Sequence, residues 1–439
     1  VGVNLTTSNK KNFNNDENWT RSHGNHSSNK FSNLKLINKN NLKNLDVAWT
    51  YSFENKGDIP GNPIYYDGRV YLSSTEKSLI ALNAENGQKI WEFQTEGLAA
   101  RRGLVLSEKE EPIIYFCDQK NLIALYALDG QVVNTFGKKG KIKLKNKCQI
   151  TPVLMGDKII IGTFEPGIEV YNVSNGELLW ERLNSSPFNS QLKIFKDKFF
   201  AVDSENILRC FSLENGKELW NYKTDKSFIK SQQKLSLVIS NNRVVFINTL
   251  GDVSSVDIET GKLLWQTPTQ SNEIYESSFS LKNSDLILDK KGIFFSNNQN
   301  EFYALDETTG VVLWKQTLNS NLRSTFIENL IFNVTLEGYL AVLDARNGNI
   351  LRMTNIFERI KRYEQKGILA DRTTVLPIGF IVSNKKIYIS LSNGKLVSVD
   401  LLTGKSLDVV KIDGEKISRP YIFKNEMFVI KDNGILKLN

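Results

Sequence analysis

The sequence predicts an all-β fold, a β-propeller of four-stranded antiparallel blades, on three observations. Trp91, Trp180, Trp220, Trp265 and Trp314 each stand four residues after a glycine (Gly87, Gly176, Gly216, Gly261 and Gly310). Turn glycines at 87, 130, 176, 216, 261, 310, 348 and 404 recur at intervals of 38 to 56 residues. A period of that length is the mark of one supersecondary unit copied around an array. Between the glycines the apolar residues alternate with period two, which suits strands and excludes a helical solenoid.

The unit is clearest over Arg69 to Phe93, RVYLSSTEKSLIALNAENGQKIWEF. A β-branched and aromatic run, a polar turn and an alternating run are followed by Asn86-Gly87 and a last strand carrying Trp91, so the segment reads as a meander of three strands. A further strand precedes it at Asn62 to Tyr66, before Asp67-Gly68. Glycine at the last turn supplies the positive φ that a tight hairpin requires. The indole four residues later lies on the outermost strand, where a wide ring fills the wedge between radial sheets and buries roughly 150–250 Å². Asn134, Arg352 and Asp408 occupy the tryptophan position in the less regular units.

Closure is predicted from the two ends. The last unit, Met427 to Leu438, lacks a glycine–tryptophan strand, and Leu45 to Phe53 is an orphan outer strand carrying Trp49. Pairing them seals the ring and removes two exposed edges. With that closing unit there are nine modules. The expected division is a polar arm over 1–43 and one propeller over 44–439, with Trp49, Trp91, Trp180, Trp220, Trp265 and Trp314 as structural residues.

Composition narrows the function classes. The net charge is +8, with lysines scattered over loops, so a nucleic-acid stripe is not expected. No run of eighteen apolar residues occurs, so no spanning helix is expected. The start, VGVNLTTSNK, is not a charged-then-apolar leader, and any export signal is expected to have been removed. Cys117, Cys148 and Cys210 fall in separate modules without a CxxC pattern and read as small buried hydrophobes.

Candidate chemistry is sparse. The two histidines, His23 and His26, both lie in the arm, so the ring cannot build a Ser-His-Asp triad, and no metal site is expected. Glycine-rich phosphate motifs are lacking. Three stretches stand out. Arg101-Arg102-Gly103 precedes a strand near the axis and could hold an anion. Lys226 to Lys230, KSFIK, offers Phe228, Ile229 and Lys230 in an inter-blade loop suited to a protein partner. Ile356 to Arg372, which carries Tyr363, is charged, not strand-like, and long enough for a lid or partner loop.

The repeat x-A-L-[ND]-A-x-x-G-x-x-[IL]-W resembles the PQQ-type propeller repeat, which two families share. The N-terminal third, with Trp19 to Trp49, Arg102-Gly103 and Val133 to Gly137, is similar to quinoprotein alcohol and glucose dehydrogenases. That resemblance implies PQQ and calcium as cofactors, with Arg102 against the quinone and Glu165 as a calcium ligand. The adjacent cysteines of those enzymes read Glu96-Gly97 here, and their asparagine and aspartate metal ligands have no counterpart. The C-terminal half, with GYLAVLDARNG at 338–348 and KIYISLSNGKLVSVDLLTG at 386–404, resembles the BamB lipoproteins of outer-membrane β-barrel assembly, normally eight-bladed scaffolds without quinone. The expectation is therefore a non-enzymatic scaffold without cofactor. It would lie in the periplasm, peripheral to the outer membrane, with the barrel-assembly machinery as its partner. A PQQ-dependent dehydrogenase, or a degenerate relative that only binds ligand, is the alternative.

Overall fold

A computed structural model of the protein describes residues 46–438, apart from 58–60, 101–102, 149, 227–233, 270–281, 291, 298, 358–362, 366–371, 384 and 413–415. The arm over 1–43 therefore lies outside the described residues, as do Arg102, Phe228, Ile229 and Lys230.

Nine four-stranded antiparallel sheets follow one another along the chain. They occupy 64–94, 104–143, 153–183, 193–223, 237–267, 287–316, 325–355 and 377–411 (blades 1 to 8), and 421–438 with the early strand Val47–Ser52 (blade 9). The ring therefore exceeds by one blade the eight that the family resemblance implies. Each ordinary blade is an up-and-down meander of neighbouring strands, as the alternating pattern requires.

Blade 9 closes the ring as expected. Val47–Ser52 pairs antiparallel with Gly434–Leu438, placing Tyr51 opposite Ile435. An apolar cluster then joins Tyr421, Phe423 and Phe428 of blade 9 to Tyr65, Val70 and Leu72 of blade 1. Comparable clusters fill the other seams, for example Leu237, Phe246 and Val256 of blade 5 against Phe200, Leu208 and Cys210 of blade 4.

The tryptophans do more than fill a wedge. Each indole lies on the turn glycine of the following blade: a Cβ at residue 310 would come within 2.3 Å of Trp265, and one at residue 130 within 2.6 Å of Trp91. Those glycines also have positive φ, +71° and +73°, so two independent constraints exclude a side chain. The indole Nε1 then donates to a carbonyl of the same neighbouring blade: Trp91 to Ala127 at 3.0 Å, Trp265 to Glu307 at 2.9 Å and Trp314 to Ala345 at 2.9 Å. Trp49, Trp180 and Trp220 donate likewise to Ala84, Leu213 and Ile258.

Two expectations are corrected here. Asn134 is an exposed turn residue and takes no part in a seam; blade 2 delays its outer strand to Lys141–Lys143, and Ile142 meets Gly176 where an indole would stand. Cys117 and Cys148 form a disulfide, and only Cys210 is the buried free thiol expected of all three. Cys148 also bridges to Thr163 of blade 3, so this crosslink spans a seam that lacks a tryptophan.

The long insertion is partly ordered strand. Tyr363–Gln365 pairs with Arg372–Thr374, against the expectation of an irregular loop. Ile356 and Phe357, at its start, are buried in the seam between blades 7 and 8, and Gly338 makes room for the Phe357 ring.

Candidate functional site: the axial chamber

The inner strand of each blade, the first of its meander and Tyr421–Phe423 in blade 9, faces the axis. In eight blades it is only three or four residues long. A chamber of about 1020 Å³ runs along these inner strands, lined from blades 4 to 8 by stretches including 193–195, 285–289, 323–326 and 378–382, and by Arg419 ahead of blade 9. Phe195, Phe326 and Phe380 give it apolar walls. We call the face on which the inner strands begin the upper face.

The upper end of the chamber is cationic. Lys193 opens the inner strand of blade 4, and Arg323 and Arg419 lie two residues ahead of those of blades 7 and 9. Asp285 holds the matching place in blade 6 and pairs with Arg323 at 3.4 Å. Asp289 lies at the far end of the same inner strand, where burial raises its pKa. Among the described residues, three cations and the carboxylate of Asp285 therefore stand at the upper end.

The cations are held in unfavourable company. Burial, with Arg323 nearby, pulls Lys193 down to about 8, against a smaller opposing pull from Asp285. Burial lowers the pKa of Arg323, Asp285 opposes this, and Arg419 lowers it further. Arg419 lays its guanidinium 4.4 Å over the Tyr421 ring, and the Tyr421 hydroxyl donates to Asn62, just ahead of blade 1. Gly379 makes this pose possible, since a Cβ there would lie 2.4 Å from that of Arg419. Nη2 of Arg419 is buried and meets no hydrogen-bond acceptor among the described residues. Such an arrangement favours an anion: converging cations in a half-buried space repel one another, and a buried donor without a partner costs free energy until one arrives.

Glu165 lies elsewhere. It is exposed on the turn between Lys158–Thr163 and Gly167–Asn172, also on the upper face. With its amide oriented to satisfy both groups, Asn146 donates to Glu165 Oε2 at 2.7 Å. Glu165 is not part of the chamber wall. Among the described residues no three His, Cys, Asp or Glu side chains gather as a metal cluster would require. The sequence reading picked Arg102 but missed Arg323 and Arg419. A signal was present: Arg102 also stands two residues ahead of an inner strand, Leu104–Ser107. Aligning the modules on that strand would have brought all three together.

The repeat, the indole-on-glycine seams and the open axis define a propeller of PQQ-like repeats. The chain belongs to the family described as outer membrane protein assembly factor BamB, whose model matches residues 141–354 and 289–433. A second model, described as the β-propeller domain of glucose/ethanol/alcohol dehydrogenases, matches 19–181.

Among curated proteins, the chain is similar to subunit 1 of methanol dehydrogenase [cytochrome c] from Methylorubrum extorquens, 31% identical over 193 residues, which cover 39% of this chain and 31% of that one. It is also similar to the quinoprotein alcohol dehydrogenase PedH of Pseudomonas putida, 29% identical over 35% of this chain and 28% of that one. The chain thus spans about a third of the length of these relatives. Among solved structures, quinohemoprotein alcohol dehydrogenase from Comamonas testosteroni superposes with TM-score 0.60 at 14% identity, over 97% of this chain and 80% of that one. BamB from Moraxella catarrhalis gives 0.53 at 12%, over 90% and 99%. At such identities these two likenesses show the fold.

The curated relatives correct two expectations. Reading the chain as non-enzymatic and as cofactor-free rested on missing ligand motifs, yet the named relatives are dehydrogenases, and PedH is a quinoprotein. The missing metal ligands and cysteines of those enzymes do not bear on the chamber, whose lining includes Lys193, Arg323 and Arg419.

Proposed function

We propose that the ring is a quinoprotein-type dehydrogenase module of the cell envelope, which oxidises a hydroxyl-bearing substrate with an anionic quinone such as PQQ. The observation that carries this reading is the chamber: its volume admits a tricyclic quinone, and its cations suit the carboxylates of PQQ. The dehydrogenase match over 19–181, which includes Arg102, supports it. A bound quinone supplies a two-electron acceptor. The chain's own part is to orient it, with Arg323 and Arg419 gripping carboxylates and the Phe195, Phe326 and Phe380 walls limiting water. Lys193, at about 8, is able to hold or release a proton at Nζ near neutral pH. The described residues do not fit a metal cluster, and no step is assigned to a cation. Placement in the periplasm is part of the proposal; the Cys117–Cys148 crosslink supports an oxidising compartment.

The test is to incubate the purified chain with PQQ and calcium, then record quinone absorbance and dye-linked oxidation of alcohols and sugars. Turnover lost in Arg102→Ala is the expected result. Neither retained quinone nor turnover for any substrate would defeat the reading.

A second role has separate support, because the BamB description covers the larger part of the chain. Aliphatic side chains are exposed on the outer strands of successive blades, among them Leu179, Leu264, Leu313 and Leu351. They suit a protein partner, with the barrel-assembly machinery the one the family description points to. Phe228, Ile229, Lys230 and Tyr363 remain candidate contacts. Affinity purification from gently solubilised envelopes tests this role, and failure to recover that machinery would count against it.

A further inference from the structure

We infer that the Cys117–Cys148 disulfide is a positioning element for the linker over 96–103, fixing the segment that carries Arg102 in sequence. The part given to Arg102 rests on the dehydrogenase reading; the hold on the linker does not.

Three observations converge. First, the bridge stands where three segments of the upper face meet. Cys117 ends the strand Ile113–Cys117, and its carbonyl accepts the Ala100 amide at 2.9 Å. Cys148 bridges to Thr163, and the carbonyl of its neighbour Lys147 accepts the Phe164 amide at 2.9 Å. The bond between the two cysteines therefore ties the linker ahead of blade 2 to a turn of blade 3. A crosslink that served the seam alone would need only the second contact. Second, Asp118, buried beside Cys117, reaches the same linker. Its Oδ2 accepts the Glu96 amide at 3.2 Å, and its carbonyl lies so near Gly97 that a Cβ there would collide with it. Glu96-Gly97 stands where the similar enzymes carry adjacent cysteines, so a crosslink on the neighbouring strand underlies a stretch that lacks its own. Third, the linker holds a pose that needs outside support. Ala100 is buried at φ +48°, and a residue with a side chain persists there only where its surroundings fix it. The Gly103 amide closes back on the Ala100 carbonyl at 2.8 Å. Arg102 falls between these two anchors in sequence, two residues ahead of its inner strand, the place that Arg323 and Arg419 hold in their own blades.

Amide hydrogen exchange of the full chain tests the hold. In Cys117→Ser with Cys148→Ser, exchange over 96–103 should quicken roughly tenfold or more, as when a local opening loses its restraint. Asp118→Asn leaves the disulfide and its seam whole but removes the acceptor for Glu96. It should quicken exchange over 96–103 and leave the Thr163 turn unchanged. It also serves should the serine variant fail to fold, which a circular-dichroism melt shows. PQQ titration, followed by quinone absorbance, supplies a readout that loss of packing alone would not move. The serine variant should bind PQQ roughly tenfold more weakly, and in an Arg102→Ala background the same change should cost nothing further.

Quickened linker exchange in a chain that binds no PQQ would uphold the positioning element while removing the dehydrogenase reading. Quickened exchange with non-additive losses of PQQ affinity would uphold both. Unchanged exchange over 96–103 in a folded variant, or additive losses of PQQ affinity, would overturn the inference.

Discussion

Three kinds of seam hold this ring together. The seam between blades 5 and 6 is sealed by Trp265, which lies on Gly310 and donates to Glu307. The seam between blades 7 and 8 has Arg352 at the same place, lying beside Gly404 and donating to the carbonyls of Leu401 and Leu402. Between blades 2 and 3, Ile142 meets Gly176 and donates nothing, and a disulfide spans the joint. The station thus asks for a group that packs against a glycine and, where it can, donates to the next blade. An indole does both with a large apolar area. A guanidinium is flat and donates twice but brings a buried charge, and an aliphatic side chain supplies packing alone.

The largest expected effect is at an indole seam. Trp265→Ala should lower stability by ~3–5 kcal/mol, the usual cost of emptying a buried aromatic site. Gly310→Ala should be damaging at the same seam, because the new Cβ meets the ring at 2.3 Å and φ is +71°. Denaturant midpoints for the two variants and their combination test this. If the effects are additive, the ring and the glycine do not act as one lock.

The crosslinked seam comes next. Cys117→Ser with Cys148→Ser opens a loop set by a separation of 31 residues, for which chain entropy gives roughly 3–4 kcal/mol. Hydrogen exchange should quicken between blades 2 and 3 and stay unchanged between blades 5 and 6. Uniform quickening would mean that the crosslink steadies the whole ring and does not stand in for the missing indole.

At the arginine seam, Arg352→Ala should cost ~1.5–3 kcal/mol through loss of hydrogen bonds from a charged donor. Burial already lowers the Arg352 pKa, so holding the charge at this seam carries a desolvation cost. Arg352→Trp is the sharper version. If the station obeys one rule, the tryptophan should restore or exceed wild-type stability in a thermal melt.

The difference between the seams also explains what was legible in the sequence. Trp91 and Gly87 belong to a local pattern four residues long, and period-two alternation is equally local, so the blades and ring closure could be read directly. Blade 2 misled because the pattern was extended past its limit: after Gly130 the chain makes a bridge at Val132 and a further turn before its outer strand, so the residue that matters is Ile142 and not Asn134. The crosslink was hidden because its cysteines face each other only across a seam. The chamber was hidden for a similar reason. Arg323 and Arg419 are far apart in sequence and meet only once the ring has closed.

The smallest effect separates residues kept for the fold from residues kept for a ligand, and it has the opposite sign. Lys193 has an ordinary pKa near 10.5 and about 8 in the ring. The folded protein therefore holds this proton less well than the unfolded chain. The resulting penalty is fully present below pH 8 and fades as pH rises from 8 towards 10.5. Among the described residues, Arg323 and Asp285 act on it, in opposite directions. Lys193→Met should accordingly stabilise the ligand-free ring at pH 7, by about 1 kcal/mol after allowance for solvent screening. The gain should vanish by about pH 10.5, the ordinary lysine value. Melting temperatures of both proteins across that range provide the measurement. A seam residue cannot behave this way, since every truncation there removes packing. If Lys193→Met destabilises the ring at pH 7, the lysine belongs with the seams, and the case for a cationic chamber held open for an anion loses Lys193.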